Sequence, residues 1–293
     1  MEPEVITVGL DGSPESLAAA QWAADEADRR RCVLRLLHAW VLLAAEAPDT
    51  PPDRDQNAGA RRIVRRAREE VRDRHPHVQV IEDLVGSEPL PALLYAANDS
   101  RMVVLGTRAL TAWESYVLGD VSLDVVGQAE RPVVLVRGGW STEVPRSEAQ
   151  VAEPRIVVGM SLNGPCDPLL DFAFDSAASR GLPLQAVHGR ALPATAYVPW
   201  GIEPEVAEDV AKEADAELRE AIRPWRERFP DVPVRLTVLP ENPTRTIVQT
   251  VPGAELLVVG RRRNHPRFAP RVGPVAHAAM HHATCPVAVV PHD

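Results

Sequence analysis

Two glycine-framed stretches hold the residue types best suited to chemistry. The first, LGTRALTAWESYVLGD (Leu105 to Asp120), sets Gly106 straight after a hydrophobic run and Gly119 thirteen positions later. The second, VGRRRNHPRFAPRVGP (Val259 to Pro274), repeats that spacing with Gly260 and Gly273. Glycine lets backbone N–H groups close around a phosphate because no side chain stands in the way. A loop of this kind, between a strand and a helix N-terminus, is suited to a nucleotide phosphate. Yet the residue after the second glycine is Asp120 in one stretch and Pro274 in the other. The frame is either a nucleotide-binding loop present twice or the remains of one.

The elements that must position these residues follow from periodicity. In the first half, Val5–Leu10, Cys32–Ala39, Val78–Leu84, Met102–Gly106 and Val133–Arg137 are near-continuous apolar runs, as in strands buried on both faces of a parallel sheet. Between them, Glu15–Arg30, Ala58–Arg74, Leu90–Asn98 and Gly119–Ala129 read as helices. Ser13 is placed to cap the first helix, Pro14 to open it and Glu15 to meet its dipole, with Arg29–Arg31 at the other end. Alternating strands and helices imply a doubly wound α/β fold, with ligands at the carboxyl ends of strands where strand order reverses. Asp11 and Gly106 both fall at such ends.

The pattern then repeats. VITVGLDGS (Val5 to Ser13) matches RIVVGMSLN (Arg155 to Asn163), and His38 and His188 lie 150 positions apart. RMVVLGTR matches AELLVVGR, and RPVVLVR matches CPVAVVP, with an offset of 154. A repeat this long is a domain duplication and not a solenoid. The expected organisation is a first domain at 1–138, a linker at 139–153 that is polar and contains Gly and Pro, and a second domain at 154–293.

Composition narrows the function. The 293 residues carry 41 acidic and 32 basic side chains, net −9, which argues against nucleic-acid and anionic-membrane partners. Three scattered cysteines make no disulfide framework, and no 18-residue apolar run or secretory signal is present, so a cytoplasmic, soluble protein is expected. Lys212 is the only lysine, which excludes a Walker-type loop. No nucleophile elbow or local Ser/His/Asp signature occurs, and the expectation is a binding or regulatory protein and not an enzyme.

Together, VGLDGSPES, AAQWAADEADRRR, LLHAW, VVLGTR, the second glycine and RPVVLVR resemble a universal stress protein domain, and the resemblance covers the chain as a tandem pair. It implies two flavodoxin-like (Rossmann-like) domains, each a five-stranded parallel sheet with helices on both faces, and ATP binding in one subgroup but not in another. The ATP-binding subgroup carries G-x-x-G, nine residues, then G-[S/T]. Here Gly106 and Gly119 match the outer glycines, Ala109 replaces the middle one, and Asp120 replaces the hydroxyl residue. Asp11 matches the adenosine-side acid, and Ala39 sits where a backbone contact to adenine is implied. With Leu105, Arg108, Val121 and Ser122 these form the first candidate nucleotide site. In the second copy Gly260 and Gly273 match, Arg263 stands at the middle-glycine position, Pro274 at the hydroxyl position and Ser161 in place of the acid.

Both copies therefore depart from the motif at its phosphate end. An alanine at a φ > 0 position costs about 1–2 kcal/mol, which is tolerable. An ionised Asp120 about 4 Å from a phosphate charge repels it by roughly 4 kcal/mol at an effective dielectric near 20, about three orders of magnitude in affinity. Mg²⁺ bridging Asp120 and the phosphates would reverse that sign, and Arg108 would offset it. The alternative to a degenerate site is thus an ATP sensor using the first domain with Mg²⁺, with slow hydrolysis. In the second copy Pro274 lacks an N–H, while Arg261, Arg262, Arg263 and Arg267 either attract an anion or, for Arg263, fold into the nucleotide space.

The remaining constellations read as structural. His277, His281 and His282 fall at a helix C-terminus, and His38 and His188 at equivalent strand ends shaping a pocket mouth. Cys32 and Cys285 read as core, Cys166 as an exposed loop residue, and the Pro-rich tracts Thr50–Arg54 and Pro193–Pro204 as irregular connections. The apolar final strands resemble the family's dimerising edge, which implies intrachain pairing of the two domains, a further homodimer and an unidentified protein partner.

Overall fold

The computed structural model describes residues 4–40, 56–107, 120–139, 153–198, 201–264 and 270–293. Two compact units divide the chain, Met1–Val144 and Pro145–Asp293.

The first unit runs β1 (Val5–Gly9), α1 (Pro14–Arg30), β2 (Val33–Ala39), α2 (Gln56–Arg74), β3 (Val80–Val85), α3 (Pro89–Asn98), β4 (Met102–Thr107), α4 (Asp120–Gln128) and β5 (Val133–Arg137). All its strand pairs are parallel, in the order β3-β2-β1-β4-β5. Helices α1 and α2 pack together on one face, α3 and α4 on the other. This covering explains the continuous apolar runs: Ile6, Val8, Leu34, Leu36, Val103, Val104 and Val134 are fully buried. Burying each such side chain contributes roughly 1.5–3 kcal/mol.

Helix α1 starts as its sequence dictates. The Ser13 hydroxyl oxygen accepts the Ser16 N–H at 3.1 Å, and Pro14 occupies the first turn where a missing N–H costs nothing. The helix ends on Arg31 in the left-handed conformation (φ 56°), whose N–H bonds the Ala27 and Asp28 carbonyls. The corresponding cap in the second unit is Gly181, with φ 61°.

The second unit runs β6 (Arg155–Gly159), α5 (Asp167–Arg180), β7 (Leu184–Gly189), β8 (Tyr197–Val198), β9 (Gly201–Ile202), α6 (Pro204–Arg228), β10 (Val234–Leu239), α7 (Pro243–Thr250), β11 (Ala254–Arg262), α8 (Pro274–His282) and β12 (Val287–His292). Its parallel sheet has the same winding, β10-β7-β6-β11-β12. One departure from the sequence reading lies between β7 and α6. The Pro-rich tract expected to be irregular forms a single 3-10 turn at Ala194–Ala196 and the antiparallel ribbon β8-β9. The Thr50–Arg54 tract lies outside the described residues. A second departure is Cys166, expected to be exposed. It is buried, at the N-cap of α5.

Candidate functional site

Strand order reverses between β1 and β4 in the first unit and between β6 and β11 in the second. A cavity opens at the carboxyl ends of the strands in both places, where the fold leaves backbone and loop groups to face a ligand.

The first cavity, about 390 Å³, is an apolar slot with one polar wall. Leu10, Leu37, Ala39, Leu93 and Leu105 line the slot, and Asp11, Ser13, Glu15, Thr107 and Ser122 the wall. The Asp11 carboxylate accepts the Ser13 N–H at 2.9 Å and the Ser13 hydroxyl at 2.5 Å. Burial opposes its ionisation, but these bonds and others from the turn outweigh that, and its pKa lies below the ordinary value of 3.8. Asp11 is therefore a fixed, ionised acceptor. His38 Nδ1 donates to the Leu10 carbonyl at 2.7 Å, which locks the ring at the rim.

The structure brings together Asp11, Ala39, Leu105, Gly106, Val121 and Ser122 of the sequence-derived set. Asp120 opens α4. Arg108, Ala109 and Gly119 lie outside the described residues. Among the described lining residues, the only charges are the carboxylates of Asp11 and Glu15. No group of three or more His, Cys, Asp or Glu side chains among the described residues is placed to hold a metal ion.

The second cavity is larger, about 650 Å³, and opposite in charge. Arg262 and Arg271 line it together with His188, His292 and Arg190, whose guanidinium is paired with Glu217 at 2.8 Å; no carboxylate lines the cavity among the described residues. Gly260 and Gly273 reach it as the sequence implied; Arg263 does not. The reason is the pleat. Side chains alternate along β11, so Arg262 shares the face of Gly260, while Arg263 turns to the carboxylate of Asp293 at 3.8 Å. Arg262 is one of the four arginines that the sequence offered for an anion, and counting two residues from Gly260 singles it out. Arg190, Arg271 and His292 carry no such local signal, because only the folded sheet gathers β7, β12 and the residues before α8.

Gly106 and Gly260 have packing duties of their own. A Cβ on Gly106 would stand 2.5 Å from the Glu15 carbonyl oxygen and 2.6 Å from the Ser16 nitrogen, both backbone atoms of the first turn of α1. A Cβ on Gly260 would enter the ring of His292, with Cδ2 at 2.7 Å. At Gly106, where the atoms met are backbone, the absence of a side chain is thus required by the chain itself before any ligand is considered; at Gly260 the His292 ring would have to move.

Comparison with known proteins agrees with this architecture. A model of the universal stress protein family matches residues 3–137 and again 154–291. A universal stress protein of Mycobacterium tuberculosis is 32% identical over 294 residues, covering 97% of this chain and 96% of that protein. A second one from that species is 29% identical over 292 residues, covering 97% and 95%. Among solved structures, a universal stress protein from Archaeoglobus fulgidus covers 100% of both chains with a TM-score of 0.72 at 15% identity, a likeness of fold.

Proposed function

The chain belongs to the universal stress protein family, and from that premise we propose that it is a non-catalytic binding protein whose first unit takes the nucleoside part of an adenine nucleotide and holds the phosphates weakly. One observation carries this reading: an apolar slot walled by a fixed, ionised carboxylate, with no cation lining it among the described residues. The slot suits a flat heterocycle, and Asp11 suits hydroxyl donors such as those of a ribose. Asp11 and Glu15 repel phosphate charge, and nothing described offsets them. Among the described lining residues the Ser13 hydroxyl is committed to Asp11 and to the start of α1, which supports a role in recognition, with the signal passed to a protein partner in a stress response.

Calorimetric titration of the full chain with adenosine tests this reading. Adenosine is expected to bind, and Asp11→Ala is expected to remove that binding. Tight ATP binding that requires Mg²⁺, is absent for adenosine and is lost in Asp11→Ala would overturn it in favour of the ATP sensor with Mg²⁺ at Asp120.

A further inference from the structure

Helices α2 and α6 are the same element of the duplicated unit. Each lies between the second strand of its sheet and the edge strand, β2 and β3 for α2, β7 and β10 for α6. Their charges are opposite. Helix α2 carries seven arginines against three acids. The first part of α6, residues 204–217, carries six acids against Lys212 alone.

Opposite charges four residues apart support a solvated helix, and like charges at that spacing oppose it. Helix α2 holds two like-charged pairs there, Arg61 with Arg65 and Arg62 with Arg66, all exposed. Arg66 meets Glu70 at 3.0 Å. Arg62, Arg65 and the exposed Arg72 have no ion-pair partner among the described residues. The face is also indented. Arg62, Ile63 and Arg66 border a shallow cavity of about 340 Å³ against Gly12 and Leu17, which gives a docking side chain a recess beside two guanidinium groups.

Helix α6 repeats an acid every four residues, Glu205, Asp209, Glu213 and Glu217, with Glu208 alongside, and all are exposed. Lys212 reaches Glu208 at 3.4 Å and Asp209 at 4.0 Å, and Arg190 reaches Glu217 at 2.8 Å and Glu213 at 3.6 Å. Exposed pairs of this kind hold little energy and leave the carboxylates open to a further cation. Glu205 has no ion-pair partner among the described residues. The two rows also have one length. At 1.5 Å per residue, Arg61 to Arg72 spans about 17 Å and Glu205 to Glu217 about 18 Å.

We infer that α2 of one chain docks on α6 of a second copy of this chain, arginine row against carboxylate row. Guanidinium forks match carboxylates in pairs, and each chain carries one row of each sign. The contact is therefore self-complementary in a chain whose net charge of −9 would otherwise keep copies apart. None of the row residues lines either cavity, so the contact stands apart from the reading of the first unit.

Sedimentation velocity of the full chain over a range of concentrations, in roughly 0.05 M and 0.5 M salt, measures this contact. Association is expected in the dilute salt and should weaken in the concentrated one. Arg62→Glu with Arg65→Glu, or Glu205→Arg with Asp209→Arg, should each weaken it about 10- to 100-fold, because like charges then face each other. Mixing the two double variants should restore it, since each reversed row now meets its complement, and only folded chains can do this. Adenosine titration of both variants should match wild type. A chain that stays monomeric in the dilute salt would leave the arginine row to an acidic partner of another kind and overturn the inference. So would association that neither salt nor either variant changes, or variants whose mixture stays as weak as each alone. Failure of adenosine to bind, with the sedimentation results as expected, would sink only the reading of the first unit.

Discussion

Gly106 is where the two readings of the glycine frame part, and Gly106→Ala separates them. A new Cβ would meet the Glu15 carbonyl oxygen at 2.5 Å and the Ser16 nitrogen at 2.6 Å, where ordinary contacts begin near 3.4 Å. These are backbone atoms, so no rotamer change relieves the clash. The start of α1 must withdraw from β4 by roughly 1 Å, and the packing of Leu17 and Ala20, both buried, loosens with it. Overpacking of this kind costs about 1–3 kcal/mol. At roughly 2–4 °C per kcal/mol for a unit of this size, the melting temperature should fall by about 3–10 °C. The assay is urea unfolding followed by circular dichroism, with Gly86→Ala as control. Nothing lies within 4 Å of a Cβ at Gly86, so that variant should stay within about 0.5 kcal/mol of wild type. If Gly106→Ala is as stable as wild type yet loses adenosine binding, the packing argument is wrong and the glycine serves the ligand.

Three further outcomes are expected. Arg31 holds a left-handed backbone (φ 56°) that Gly181 holds in the second unit, so Arg31→Gly should stabilise the first unit by up to about 1 kcal/mol in the same assay. Because the folded pKa of Asp11 lies below its ordinary 3.8, its stabilising contribution is present above that pH and is lost as pH falls through the folded value. Ser13→Ala removes its hydroxyl partner and the α1 cap, so the Asp11 carboxyl titration followed by ¹³C NMR should move upward while the chain loses about 1 kcal/mol. Burial, aided by Asp167, pushes the Cys166 thiol up to about 11, so native chain at pH 8 should react slowly with iodoacetamide at this position and rapidly once unfolded. Rapid native labelling of Cys166 would contradict its burial.

Much of the fold was legible in the residues because its causes are local. Apolar runs such as Met102–Leu105, the Ser13-Pro14-Glu15 start of α1 and the 150-residue echo of His38 in His188 each report a backbone state or a repeat over a few neighbouring positions. The first cavity was legible in part for the same reason. Asp11, Ala39 and Gly106 lie at the carboxyl ends of β1, β2 and β4, neighbours in the sheet, and a parallel sheet must bring strand ends together. The second cavity was not. Its charge depends on Arg262 from β11 and Arg271 from the approach to α8 converging with no carboxylate among the described lining residues, and on the pleat placing Arg262 on the face of Gly260 and turning Arg263 away. Cys166, at the N-cap of α5, is buried, and a Cβ at Gly260 would meet the ring of His292, thirty-two positions on. Sequence alone determined the elements, their order and the duplication, since these follow from short-range sterics and hydrophobic periodicity. Tertiary structure decided which charged side chains line each cavity, since these come from positions that the chain holds far apart and only the folded sheet brings within reach.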